Sequence, residues 1–286
     1  MTTPEESSDV CAWVTRVIQD LCHGSENDLR GDASELAWGE PLVGFCRGDD
    51  PLFERFKEAV GSFHWTPLEI FQRAFPDVPV QAEELAVISW VLPQTTITKA
   101  DNRRQNTWPA ERWARSRIYG EEFNNYLREQ VAAVLTQRGY RALAPAMSPG
   151  WQTKESERYV WASTWSERHI AHAAGLGTFG LCDGLITPVG KAMRVGSVVA
   201  HMEVPPVTRP YEDHHAYCLF YAQGTCGECI KRCPADAITE AGHNKVRCRE
   251  HLNRTREYVE SHYGFKGYGC GLCQTGVPCE SGIPEG

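Results

Sequence analysis

The sequence predicts an α+β protein in two parts, an α/β region over residues 1–204 and a cysteine-rich region over residues 211–286. Three observations carry this. Strand-like and helix-like segments alternate through the first part. The segment Val204-Pro-Pro-Val-Thr-Arg-Pro210 places three prolines where no regular element can continue. Eight of the twelve cysteines then fall between Cys218 and Cys279, whereas all nine tryptophans lie at or before Trp165.

The elements of the first part follow from hydrophobic spacing. Val10, Trp13, Val14, Val17, Ile18 and Leu21 recur at helical intervals and predict a helix over 9–22, ended near Gly24. Residues 42–46 read as a strand and 51–60 as a short helix opening after Asp49 and Asp50. The apolar run 85–92, stopped by Pro93, reads as a buried strand and is far too short to span a membrane. Residues 94–118 are polar and irregular and read as a long loop over a functional face. Phe123, Leu127, Val131 and Val134 share one stripe of a helix over 121–138, with Gly139 as its stop. A helix over 167–174 and a strand over 193–204 complete the region.

Charge and termini narrow the function classes. A formal net charge of −8 without a dense Lys/Arg run argues against nucleic-acid binding. The acidic, polar start Met1-Thr-Thr-Pro-Glu-Glu6 does not read as a secretory or twin-arginine signal. The expectation is a cytoplasmic protein with no nucleic-acid and no membrane partner. Cysteines in a reducing compartment rarely form a disulfide framework, and clustering of eight of them points to metal.

The cysteines read Cys218-x7-Cys226-x2-Cys229-x3-Cys233-Pro234, then Cys248, then Cys270-x2-Cys273-x5-Cys279. In the bacterial ferredoxin arrangement the last cysteine of the first run, followed by proline, serves the other cluster. That logic assigns Cys218, Cys226, Cys229 and Cys279 to one [4Fe–4S] cluster and Cys233, Cys248, Cys270 and Cys273 to a second. The alternative is a pair of zinc sites built on C-x2-C knuckles. Longer loops before Cys226 and before Cys279 depart from the bacterial spacing at modest entropic cost. His214 and His215 precede Cys218; with eight thiols available, surface or interdomain packing is the expected role.

Gly175-Leu176-Gly177-Thr-Phe-Gly180 matches G-x-G-x-x-G, yet a helix runs into it where a strand should. Backbone passing close to another body, either a cofactor or a packed strand, explains the glycines better, and a purely structural turn stays open.

Together, the segment 167–180, the run from Cys226 to Ile238 and Tyr268-Gly-Cys270-Gly-Leu-Cys273 resemble the epoxyqueuosine reductase and reductive dehalogenase superfamily over about residues 85–279. The resemblance implies a nitroreductase-like α/β domain that binds cobalamin, followed by a ferredoxin-like module delivering electrons to the cobalt. Gly175, Leu176, Gly177 and Gly180 would lie against the corrinoid, with no protein histidine on cobalt. Departures matter as much. Trp161 stands where that superfamily's epoxyqueuosine reductases carry an aspartate proton donor, and Leu181-Cys182 replaces a lysine after the loop. The chain ends seven residues after Cys279, short of a tRNA-binding extension, so action on tRNA is not expected.

No catalytic residue is assigned. Cys182, Glu122, His169 and His172 could each take part in proton or thiol chemistry. For Cys182 the plainer reading is small buried filling, for Glu122 a helix-start carboxylate, and for the histidines packing. Trp108, Trp113, Trp151, Trp161 and Trp165 could line a flat apolar pocket or simply fill the core. The expected function is a cobalamin-dependent iron–sulfur reductase of a small-molecule substrate, fed by reduced ferredoxin or flavodoxin. The alternative is an electron-transfer protein that reactivates a partner's corrinoid, or a module that traffics cobalamin.

Overall fold

Nine consecutive buried residues, Leu85–Pro93, form the spine of the fold in the computed structural model, which describes residues 4–286 and side chains from residue 9 onward. The first residues of the polar N-terminal stretch, 1–3, lie outside the described residues. The first region runs α1 (Pro4–Cys22), β1 (Leu42–Arg47), α2 (Leu52–Ala59), α3 (Pro67–Ala74), β2 (Leu85–Pro93), α4 (Thr96–Arg103) and α5 (Glu111–Gln137). It continues through β3 (Ala142–Leu143), β4 (Thr153–Ser156), β5 (Val160–Ser163), α6 (Glu167–Ala173), β6 (Thr178–Phe179), β7 (Leu185–Ile186) and β8 (Met193–His201). Beyond it lie α7 (Leu219–Gln223), α8 (Glu228–Lys231), β9 (Ile238–Thr239), β10 (Gly242–His243) and α9 (Lys245–Tyr263).

The central sheet has the order β1-β2-β8-β3 and is antiparallel throughout. Both its faces are covered, which is why the β2 sequence shows no polar alternation. Ala86, Ile88, Trp90 and Leu92 pack with Val14 and Ile18 of α1 and Phe123, Leu127 and Val131 of α5. Leu85, Val87 and Val91 pack with Phe53, Phe56, Ile70, Phe71 and Ile170 from α2, α3 and α6. Burying one such aliphatic side chain contributes about 2 kcal/mol. Polar groups on the β2 strand are paired within this core: Trp90 Nε1 donates to Asn124 Oδ1 at 2.9 Å, and Ser89 Oγ donates to the Gly196 carbonyl at 3.2 Å.

Several expectations change. Residues 94–118 are not a loop, because α4 and the first two turns of α5 occupy most of them. The start of α5 buries Trp113, Ala114 and Ser116 rather than an aliphatic stripe, so helical spacing of large apolar residues does not reveal it. The last strand ends at His201 rather than residue 204. Helix α3 was not expected, although Thr66 and Glu69 form a capping box with Pro67 in the first turn.

The cysteine-rich region is clamped onto the first by polar contacts. The Lys191 N–H donates to the Cys279 carbonyl at 2.9 Å, and Asn102 Nδ2 donates to the Cys270 carbonyl at 3.2 Å. Arg232 Nη1 reaches the Gln105 carbonyl at 2.9 Å, and Tyr263 donates its hydroxyl to the Pro109 carbonyl at 2.9 Å. At Gly190, φ is +88° and a Cβ would lie 2.1 Å from the Glu280 carbonyl oxygen, so the join admits no side chain there. No helix among the described residues is long and apolar enough to cross a membrane.

Candidate functional site

The eight C-terminal cysteines surround two spaces, four to each. Cys218, Cys226, Cys229 and Cys279 line a small cavity of about 20 Å³, with Gly180, Leu181 and Lys191 completing its wall. Cys233, Cys248, Cys270 and Cys273 line a larger one of about 230 Å³, beside Trp113 and Cys182. The short helix α8 ends at Lys231, just before the crossing: Cys229 faces the first space, and Cys233, which accepts the Ala237 N–H at 3.3 Å, faces the second.

Among the described residues, no three His, Cys, Asp or Glu side chains converge on a single metal ion. Four thiols per cavity is the donor set a cubane cluster takes. A space of about 230 Å³ has room for such a group, whereas one of about 20 Å³ is closed around its four cysteines.

Between the two spaces lie Cys182 and Lys191, both buried. Lys191 Nζ donates to Cys182 Sγ at 3.4 Å. The thiols of Cys229 and Cys273, one from each group of four, direct hydrogen bonds at Cys182; with the Lys191 charge they outweigh burial and hold it well below its usual pKa. Burial works against the Lys191 ammonium, but the sulfurs of Cys182, Cys279, Cys273 and Cys229 raise its pKa. Nothing in the chain order marks Lys191, which becomes a neighbour of the thiols only through the β7–β8 turn.

A third cavity, about 710 Å³, opens between α2, β5, α6 and the start of the cysteine region. Its walls carry Phe56, Tyr159, Trp161, Phe179 and Tyr221, and its polar groups include His169, His172, Asp183 and Lys245. The His172 Nδ1–H donates to the Gly177 carbonyl at 2.8 Å, which leaves Nε2 as the unprotonated nitrogen. Burial presses His172 down to about 4 and His169 well below its usual value, so both are neutral at pH 7. Lys245 Nζ donates to the Trp161 carbonyl at 3.2 Å and sits 4.5 Å above the Tyr159 ring. Burial, aided by the Arg168 charge, lowers Lys245 to about 8.

Of the two neighbours the glycines allow, a cofactor or a packed strand, the structure shows the strand. Neither Gly175, Leu176, Gly177 nor Gly180 lines the 710 Å³ cavity. A Cβ on Gly177 would lie 2.2 Å from the Ile186 carbonyl, and one on Gly180 3.2 Å from the Ile186 side chain. Gly175, at φ +79°, faces Val207, and Leu176 is buried in the core. The close approach is therefore to β7, and only the flanking Phe179 and Asp183 reach the cavity. His214 and His215 join the two regions as well as lining it: the Phe179 N–H donates to the His214 carbonyl at 2.7 Å, and the His215 Nδ1–H donates to the Phe179 carbonyl at 2.8 Å.

Other singled-out residues separate. Glu122 lies three turns inside α5 and pairs with Arg30 at 2.7 Å, so it is no helix-start carboxylate. The tryptophans do not form one pocket. Trp108 stacks on His251 and Tyr258, Trp113 borders the 230 Å³ cavity, Trp161 the 710 Å³ cavity, and Trp151 and Trp165 another.

No family model matches the chain, and no curated protein matches it in sequence. Solved structures do. An epoxyqueuosine reductase with a tRNA-Tyr epoxyqueuosine-modified stem loop is 17% identical, with a TM-score of 0.54 over 98% of this chain and 68% of that one. The epoxyqueuosine reductase of Streptococcus thermophilus is 15% identical, with a TM-score of 0.53 over 97% and 68%. A catabolic reductive dehalogenase in complex with 3-bromo-4-hydroxybenzoic acid is 15% identical, with a TM-score of 0.51 over 95% of this chain and 36% of that one. The chain thus has the fold of epoxyqueuosine reductases and reductive dehalogenases, the proteins its glycine loop and cysteine spacing resemble.

Proposed function

We propose that this chain is an iron–sulfur oxidoreductase that takes electrons through two [4Fe–4S] clusters to a bound corrinoid and reduces a small organic substrate. The observation that carries the reading is the division of eight cysteines, four and four, around two adjacent spaces. Cys218, Cys226, Cys229 and Cys279 hold one cluster, and Cys233, Cys248, Cys270 and Cys273 the other. When bound, the clusters supply single electrons and the corrinoid a strongly reducing cobalt centre. The 710 Å³ cavity, with its aromatic walls, has the size of a cofactor and substrate site and favours an enzyme over a carrier without a substrate. The corrinoid, rather than a flavin, is supported by the motif resemblance and the shared fold.

The chain's own residues divide the remaining work. Lys191 sets a positive charge against sulfurs of both groups, which eases the arrival of an electron there. His172 keeps its proton on Nδ1 toward Gly177 and is no acid at neutral pH. Lys245, poised at about 8 and bonded to the backbone of Trp161, is the cavity group placed to deliver a proton where the resembled reductases carry an aspartate. Reduced ferredoxin or flavodoxin is the electron source this reading calls for.

Anaerobic reconstitution should yield about eight iron and eight sulfide per chain. Cys229→Ala and Cys273→Ala should each remove a different paramagnetic signal. About four iron, tight zinc in its place, or loss of the same signal in both variants would sink the assignment. Cob(II)alamin added to cluster-loaded protein should bind without a histidine ligand on cobalt; tight flavin binding with no corrinoid binding would replace the cofactor.

A further inference from the structure

Gln94 follows β2 directly, is 5% exposed and lines the 230 Å³ space beside Cys233, Cys248, Cys270 and Cys273. Ser116, near the start of α5, lines the same space and is fully buried. The Gln94 Nε2–H donates to Ser116 Oγ at 2.7 Å, and the Ser116 hydroxyl donates to the Trp113 carbonyl at 3.0 Å. Gln94 Oε1 is buried and has no hydrogen-bond partner among the described residues. Two further donors in that wall are engaged elsewhere: Trp38 Nε1 with the Gly120 carbonyl and Arg117 Nη2 with the Tyr268 hydroxyl.

A buried acceptor without a donor is destabilising and calls for a physical reason. A carbonyl oxygen also makes a poor neighbour for the sulfurs of a four-iron cluster, which are electron-rich acceptors. Turning the amide by about 180° about its last side-chain bond removes both faults. The oxygen then accepts the Ser116 hydroxyl, which is donor and acceptor alike, and the NH2 group takes the oxygen's place in the wall. The Trp113 carbonyl keeps its place in the backbone ladder of α5. With a sulfur acceptor in the space, both ends of the Gln94 amide have partners.

We propose that Gln94 donates a side-chain N–H···S hydrogen bond to the second cluster, the one assigned to Cys233, Cys248, Cys270 and Cys273, and thereby raises its reduction potential. A hydrogen bond to a cluster sulfur favours the reduced state, which carries one more negative charge. Ser116 is the positioning residue, because it fixes which end of the amide faces the sulfurs. The effect is confined to one cluster, since neither residue lines the space of the first. That separates Gln94 from Lys191, which lies between the two groups of thiols. The inference rests on the two-cluster reading above.

An EPR-monitored redox titration of the anaerobically reconstituted full chain tests this, with the second cluster identified as the signal that Cys273→Ala removes. At the potential where the parent's second cluster is half reduced, Gln94→Met should lower its reduced-to-oxidised ratio by about threefold to tenfold, the worth of one hydrogen bond. The first cluster's ratio should stay within about 1.5-fold. Gln94→Leu, of different shape but equally without a donor, should give the same shift, and Ser116→Ala a smaller one in the same direction. Unchanged iron content in each variant shows that both clusters are still held. Pulsed EPR supplies a readout that packing does not move. With 15N in the glutamine side chains, the reduced second cluster should show a 15N coupling that Gln94→Met removes, whereas any coupling from Gln274, which also lines the space, stays. No shift in Gln94→Met, a shift in only one of the two apolar variants, equal shifts of both clusters, or no coupling lost overturns the proposal and leaves the two clusters in place. Reconstitution that yields zinc or a single cluster overturns the cluster reading and this inference with it.

Discussion

The sheet region and the cysteine region are stabilised in different ways. Around β2 and β8 the core is apolar on both faces, with Ile88, Trp90, Leu92, Val198 and Val199 fully buried. The buried core around the cysteines contains Leu181, Ile186, Ile238 and Val277, and half of its members are cysteines. Helix α9, the long helix there, buries only His251, Thr255 and Val259. A segment with so little apolar burial relies on cross-links, metal or a neighbouring body to hold it. Here it has cysteines inside and the polar clamp from α4, α5 and the β7–β8 turn outside. The fold thus places its proposed redox chemistry in the part that depends most on what it binds.

Removing the clusters should have the largest effect. Structural metal binding is worth on the order of 10 kcal/mol, more than any single side chain. In cluster-free protein, hydrogen exchange should show α9 and the segment 218–243 unprotected while β2 and β8 stay protected. Equal protection of both regions without clusters would erase the contrast.

Within the sheet region, Trp90→Ala should cost about 3–5 kcal/mol, since it leaves a cavity and strips Asn124 of its donor. Gly177→Ala should cost about 3 kcal/mol, because its Cβ would meet the Ile186 carbonyl. Denaturant midpoints of corrinoid-free protein measure both. If Gly177→Ala lowers corrinoid affinity without lowering stability, the loop contacts a cofactor after all.

Acid should destabilise the same region next. Burial holds His64 and His172 near 4 and His169 well below the usual value, against about 6.5 in the unfolded chain. The unfolded chain therefore takes up protons first. The stability due to these neutral histidines is complete above about pH 6.5 and is lost progressively as pH falls toward 4, at about 1 kcal/mol per unit for each histidine. His64→Phe should flatten the slope; a slope of opposite sign would contradict the burial.

The smallest effect belongs to the join between the regions. Lys191→Met should lower the potentials of both clusters by on the order of tens of millivolts, because its charge faces sulfurs of each group. A shift of one cluster alone would place Lys191 on that side only.

What could be read in advance depended on how far apart in the chain the cooperating residues lie. The strands β1, β2 and β8 announce themselves as apolar runs, and α1 as a periodic stripe, because each is buried by its own composition. The two groups of four cysteines were legible because thiols recur at short spacings, with Pro234 directly after Cys233. Helix α9 was not legible, since a surface of mostly charged residues hides its three buried positions.

The sequence by itself determined the mixture of helices and strands, the crowding of eight thiols toward the C-terminal end and the absence of a long apolar run. Only the tertiary structure decided that the glycines serve β7, that Lys191 and Cys182 lie between the two thiol groups, and that Gln94 and Ser116 join the wall around the second group. Local spacing can report a helix stripe or a C-x2-C step, whereas a wall assembled from the end of β2, the start of α5 and the cysteine region exists only once packing of the apolar core has brought those elements together.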